Sequence, residues 1–390
     1  MPGMAAGGRI LLAYLIYFAA LGAAFPYLPV FYRDIGLGLE QIGILIALQA
    51  AMQLLLAPVW GGLTDRFPHT RVTLPLAAVV ATVGAALLFR ATDFPTVLVG
   101  SLILYGGMSG IAPTLDARTL ETLGAEGRGR YGEVRAFGSL AFVIATLAVG
   151  FVLDAEGARA LFWVYIPFLL GTVIVTATIP RRGTSHQSMN LLRGAGRFLA
   201  TPGVALFLVG FTVVWASLAA VNAFYSIQIV ALGGSAGLVG IAWAFGASIE
   251  VPLMYAFPRI GKRVGTERLV VFGTVAFVLR ALLGSIVAAP SALVLIAPLE
   301  GIGFACVFVG GVTVLAARAP ASLQGTAQGL FAGASGLATI IGSVAGGAIA
   351  EAVQISGLFL LCAATGLIGT GIVALALLRP SSSAPLPSTA

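Results

Sequence analysis

Twelve apolar runs, each long enough to cross a bilayer as a helix, account for most of this 390-residue chain. They are centred near residues 20, 51, 81, 105, 142, 169, 216, 248, 278, 303, 338 and 367. A helix rises ~1.5 Å per residue and needs about 20 residues to cross an apolar slab of ~30 Å. Hydrocarbon offers a backbone no hydrogen-bond partners, so only helices and closed barrels span it. Barrel strands would read as alternating segments of ~10 residues, and these runs are continuous. Charged residues make up 9% of the chain, against roughly 25% in soluble proteins. The 51 glycines and 19 prolines would disrupt soluble helices, but both are frequent in membrane ones. The expected class is an all-α integral membrane protein. The first run, from Ile10 to Tyr32, is too long for a signal-peptide core and is read as a retained first span.

Lysine and arginine set the orientation, because they accumulate in cytoplasmic loops. With the N-terminus inside and the spans alternating, 17 of the 21 basic residues fall on the cytoplasmic side. Only Arg33, Arg90 and Arg159 fall outside, and Arg280 lies in mid-span. Both termini are therefore expected in the cytoplasm of a multi-pass protein of the cell (inner) membrane. This asymmetry accounts for the basic balance and leaves a nucleic-acid partner without support. Cys306 and Cys362 lie in apolar spans, His69 and His186 in loops. No spacing among them suggests a metal site or cofactor.

The longest internal polar stretch, PRRGTSHQSMNLLRGAGR at 180–197, separates six spans from six. A shift of 197 residues lays one half on the other: Gly43 falls on Gly240, Gln53 on Glu250, Arg71 on Arg268 and Asp154 on Glu351. Duplicated halves describe a transporter with its site between them at mid-membrane depth. The expected organisation is a six-helix bundle over 1–179, a cytoplasmic loop over 180–200, a second bundle over 201–379 and a disordered tail over 380–390. The two bundles would be pseudo-symmetric.

FPYLPVFYRDIGLGLEQIGILIALQAAMQLLLAPVWGGLTDR, from Phe25 to Arg66, resembles spans one and two of the major facilitator superfamily. The similarity is greatest to the branch that holds lactose permease, phenylpropionate permeases and nucleoside–proton symporters. GGLTDRFPHTR resembles the loop that follows span two in that superfamily. Gly61, Asp65, Arg66 and Arg71 match its gating pattern; Pro68 and His69 replace a glycine and a basic residue. YGEVRAFGSLAF, Tyr131 to Phe142, resembles the start of span five in the branch.

Three charges lie deep in apolar runs: Glu250 in span eight, Arg280 in span nine and Glu300 in span ten. A guanidinium at the bilayer centre costs ~2.5–3.5 kcal/mol on insertion scales and marks a functional position by default. A carboxyl next to such a cation releases its proton more readily, and one left alone in an apolar setting holds it. The trio thus suits proton coupling, while the competing reading is an ionic staple across three helices; buried pairs stabilise poorly. The resemblance implies an acid in span eight, an arginine in span nine and a His/Glu pair in span ten. Glu300 stands at the histidine position and Gly303 at the second acid, so the proton carrier is Glu300 or Glu250.

Asp116 and Arg135, in spans four and five, match an acid and an arginine that bind substrate in lactose permease. A carboxylate accepts hydroxyl hydrogens and a guanidinium donates a planar fork; the pair fits the cytoplasmic charge belt equally well, and that alternative stays open. Phe142 stands where lactose permease has a sugar-stacking tryptophan. Gln49 and Gln53 share a face of span two, Asn222 lies late in span seven, and Tyr27 sits in the FPY segment that the shift aligns with it; all are candidates for the cavity wall. The glycine run GLFAGASGLATIIGSVAGGAIA in span eleven offers small-residue faces for helix contact, with no ligand role expected.

The function expected is proton-coupled symport of a small polar organic solute (a sugar, nucleoside or aromatic acid) by rocker-switch alternating access, by a monomer in the lipid bilayer. A proton-driven exporter of small amphipathic compounds is the alternative. An enzyme would need a nucleophile with its base, or metal ligands, at one depth, and the spans hold neither.

Overall fold

The computed structural model describes residues 2–67, 72–127, 131–179 and 194–378. Those residues form helices and short turns with no strand. Eleven helices are long and apolar enough to cross a membrane. The last of them, Gln324–Leu378, has 55 residues and is interrupted at Val353 and Gln354, the latter at φ +66°. It is two spans joined by a tight turn, so the chain makes the twelve crossings its apolar runs require.

Several spans are broken, and the breaks coincide with prolines, which lack the N–H that an intrahelical bond needs. Expected as one helix, the first span instead runs from Pro2 to Ala24, turns at Phe25–Tyr27 around Pro26, and resumes as Leu28–Asp34. Span ten is built from Pro290–Ile296, Pro298–Phe304, a π-helical turn Ala305–Val309 and Gly310–Arg318. Span four, Phe94–Gly127, carries Pro113, and span eight, Ala236–Val264, carries Pro252 and Pro258.

The halves meet most tightly at one end of the bundle, here the upper end, where the chain turns at 35–38, 157–160 and 232–235. One buried cluster fills the first six spans and continues into Tyr225, Ile229, Val239 and Leu358 of the second six. A second cluster, around Phe207, Phe211 and Phe331, lies wholly within residues 198–377. The crossings at the upper end depend on missing side chains. A Cβ on Gly43 in span two would come 2.9 Å from the Cα of Gly347 in span eleven. One on Gly150 in span five would come equally close to Gly237 in span eight. Two carboxylates then cap the free amides of the opposing helix starts, where an anion is favourable. The Leu39 N–H donates to Glu351 at 2.7 Å, and the Gly237 N–H donates to Asp154 at 3.0 Å. Gly43 and Gly240, Gly150 and Gly347, Asp154 and Glu351 are each 197 residues apart, so related contacts recur in the two crossings with a shift of a few residues on span eight.

Replacing either small residue should wedge the upper end apart. In Gly43→Trp or Gly347→Trp protein, a cysteine introduced at Gln49 is expected to react several-fold faster with an impermeant maleimide added at that end. Unchanged labelling in both would show that these crossings do not close it.

Candidate functional site

Three buried or half-buried acids sit within three residues of a proline: Asp116 after Pro113, Glu250 before Pro252 and Glu300 after Pro298. Each proline leaves a carbonyl one turn back without its usual donor, so the acids stand where the helix is locally polar and deformable.

Arg280 comes from the unbroken span nine, Thr266–Ile286, and is 3% exposed. Its Nη1 donates to Oδ1 of Asn222 at 2.6 Å, and its guanidinium lies over the Tyr225 ring, 4.1 Å from the centroid. The Tyr225 hydroxyl donates to the Leu293 carbonyl, which fixes the ring. The Nε of Arg280 is buried without a hydrogen-bond partner. Glu300 lies within electrostatic range of Arg280. Glu250 lies within electrostatic range of both Glu300 and Arg135. The sequence suggested Glu250 and Glu300 as the partners of Arg280. Among the described residues its hydrogen-bond partner is instead Asn222, an amide contributed by span seven.

On the other half, Arg135 pairs with Asp116 at 3.5 Å and lies over the Phe18 ring at 5.6 Å. Tyr14, fully buried, donates its hydroxyl to Asp116. Arg135 is 49% and Asp116 31% exposed, so water screens this pair and its worth as a staple is small.

Between the halves, beneath the glycine crossings, lies a cavity of about 340 Å³. Phe25, Tyr32, Tyr105, Trp215 and Phe304 give it aromatic walls. Gln49, Gln53, Asn222, Thr339 and Ser343 supply its polar groups. Among the described residues that line it, none is charged. Such a surface suits a solute with both a flat apolar face and several hydrogen-bonding groups.

The candidates thus separate into groups. Gln53 and Asn222 line the cavity; Asp116 and Arg135 form their own pair. Tyr27 is fully buried at the upper end, its hydroxyl donating to the Thr146 carbonyl at 2.5 Å. Phe142 presents its backbone to Gly22 of span one. Neither is among the residues lining the cavity. Gly61 and Arg66 lie in the last turns of span two; the Asp65 side chain and Arg71 fall outside what is described. Thr339 and Ser343, on the span expected only to pack, reach the cavity. Their spacing of four residues on one helical face was the available signal. Trp215 and Phe304 gave none, since an aromatic in an apolar run reads as core.

The profile of the MFS_1 like family matches residues 9–361. The maltose permease of Geobacillus stearothermophilus is 30% identical over 260 residues, 66% of this chain and 66% of that protein. A probable 3-phenylpropionic acid transporter of Escherichia coli K12 is 27% identical over 298 residues, 72% and 74% of the two chains. The crystal structure of the nucleoside transporter NupG superposes with a TM-score of 0.85 at 15% identity, covering 96% of this chain and 100% of that one. That likeness shows the fold.

Removing one member of a buried ion pair costs about 3–5 kcal/mol because it leaves the other charge uncompensated, whereas replacing the whole pair by apolar groups is often neutral or stabilising. Arg280 is bonded directly to a neutral amide, and a carboxyl left near the vacated position can shed its charge by taking a proton. Arg280→Met should therefore keep its melting temperature in detergent within a few degrees of the parent while transport is lost. A large drop in melting temperature would mark Arg280 as a staple.

Proposed function

Because the chain belongs to the MFS_1 like family and is a multi-span membrane transporter, we propose that it is a proton-coupled symporter of a small polar organic solute. The observation that carries this reading is that one residue, Asn222, belongs both to the cavity wall and to the buried cluster of Arg280 and Glu300. Solute and proton sites that share a side chain are placed to influence one another, which is what coupling requires.

In this reading Glu300 carries the proton, Glu250 modulates it as a nearby second carboxyl, and Arg280 supplies the fixed positive charge that limits when a carboxyl is protonated. The cavity takes the solute. Its uncharged polar lining supports an uncharged ligand, and its aromatic walls support stacking against a sugar or nucleobase face; the Asp116–Arg135 pair leaves room for an aromatic acid. The relatives named for maltose, 3-phenylpropionic acid and nucleosides lie within these classes. The upper end is external and both termini are cytoplasmic, following the distribution of basic residues. The state described here shuts out solute on the external side. Parting the glycine crossings and closing the opposite end would reverse the access, with the protein acting as a monomer in the cell membrane.

Glu300→Gln separates transport from coupling. In proteoliposomes it should abolish accumulation driven by a pH gradient, leaving internal solute no higher than external, while exchange across loaded vesicles persists at a rate within a few-fold of the parent. Retained accumulation would sink the assignment, and protein-dependent acidification during uptake would point to export by antiport.

A further inference from the structure

We propose that the junction of spans eight and nine binds an anionic phospholipid, its phosphate held by Lys262, Arg263 and Arg268 and its acyl chains laid along span eight. The inference goes beyond the transport reading and does not depend on it.

Exposed positions recur in span eight at Ile241, Phe245, Ser248, Pro252 and Tyr255. Steps of three and four residues keep them on one face of the helix. Ile241 stands one turn below Gly237, at the level where the halves are packed together through Gly150 and Gly237. A residue exposed there looks out of the bundle, so this face meets lipid. Glu250 lies nine residues from Ile241, which at ~100° per residue places it ~180° round, on the inner side.

The lipid face ends in charge. Arg259 and Lys262 continue it at the same spacing, Arg263 adjoins them, and all three are exposed. The Arg259 guanidinium lies over the Tyr255 ring, 5.4 Å from its centroid, and Tyr255 is 76% exposed. A tyrosine near the end of a span is characteristic of the membrane–water interface. Span eight stops at Val264 and span nine starts at Thr266, with Gly265 between them at φ +97°. That turn adds Arg268, whose Cδ lies 3.9 Å from where a Cβ on Gly265 would stand. Among the described residues Lys262, Arg263 and Arg268 make no side-chain hydrogen bond or ion pair. The only acid between residues 251 and 299 is Glu267. Charges that merely set topology act from any position in a loop. These instead follow an apolar face and an interfacial tyrosine in register, which is the order of parts in a phospholipid. A soluble anion would need the cations and no apolar face. A headgroup held here fixes the lower end of the span that carries Glu250.

The test reconstitutes the full-length protein in phosphatidylcholine vesicles containing a trace of phosphatidylglycerol or phosphatidylcholine with a photoactivatable acyl chain. Crosslinks are mapped by peptide mass spectrometry. Phosphatidylglycerol should label residues 241–268 at least about fivefold more than phosphatidylcholine, the weight of one cation at a membrane surface. In the parent protein that preference should shrink several-fold at high salt, as screening shortens the reach of the charges. Lys262→Gln/Arg263→Gln should bring the two probes within about twofold of one another. Arg9→Gln/Arg197→Gln, which removes as much charge elsewhere at the same end, should leave the preference unchanged. Tyr255→Leu should lower it in part and serves if the double variant folds poorly. Equal labelling by both probes in the parent overturns the proposal, as does an undiminished preference in Lys262→Gln/Arg263→Gln. Loss of the preference on adding millimolar inorganic phosphate at constant ionic strength also overturns it, since the site would then be one for a free anion.

Discussion

A backbone in hydrocarbon must satisfy its own hydrogen bonds, since each unpaired group costs several kcal/mol. Twelve helical crossings are one consequence, and the placement of the site is another. The chain departs from regular helix at Pro26, beside Pro298 and at the π turn, and carries Pro113 and Pro252 inside other spans. Asp116, Glu250 and Glu300 lie next to three of these prolines. An irregular turn is costly where it faces lipid and tolerable where it lines a cavity. A proline and an acid in one turn therefore point to the interior face twice over, once through the backbone and once through the charge.

The same economy governs how the halves hold together. Gly43 against Gly347 and Gly150 against Gly237 bring four helices into near-backbone contact in two crossings, and small residues are what permits such approach in membranes. Each crossing is finished by a carboxylate on an open helix start, Glu351 on Leu39 and Asp154 on Gly237. A cap of this type is worth ~1 kcal/mol, and water can replace it at the membrane surface. Two such contacts close an end firmly enough to hold its geometry, and weakly enough to part. The duplication places them symmetrically, so the load is shared by both sides of the cavity.

Much of this was legible in the sequence, for reasons particular to each part. Spans are set by length and apolarity, which a linear chain displays directly. The 197-residue shift matched Gly43 with Gly240 and Asp154 with Glu351 because those positions lie where packing leaves least freedom. Arg280 announced itself by charge, and Asn222 and Gln53 by polarity within apolar runs. Periodicity gives depth and face, however, and says nothing of which side chain of a neighbouring helix arrives at the same point. Glu250 and Glu300 were the partners expected for Arg280 from two neighbouring helices, and its hydrogen bond goes to an amide on span seven instead. Tyr27 had the right depth and lies in the closed end, where the break at Pro26 carries it past the cavity.

That amide on span seven alters what the charge cluster can do. A guanidinium in direct contact with a buried carboxylate forms a pair whose rupture leaves an uncompensated charge, at a cost of about 3–5 kcal/mol; such a pair resists switching. Arg280 instead donates to a neutral amide oxygen, Oδ1 of Asn222 at 2.6 Å, and that bond involves no second charge. Since no carboxyl takes part in that bond, it does not have to break when a neighbouring carboxyl changes charge. Asn222 also lines the aromatic-walled cavity, together with hydroxyl and amide groups at Gln49, Gln53, Thr339 and Ser343. A buried arginine is thus anchored to the cavity wall by an uncharged partner, and that anchor is independent of the carboxyl charges around it.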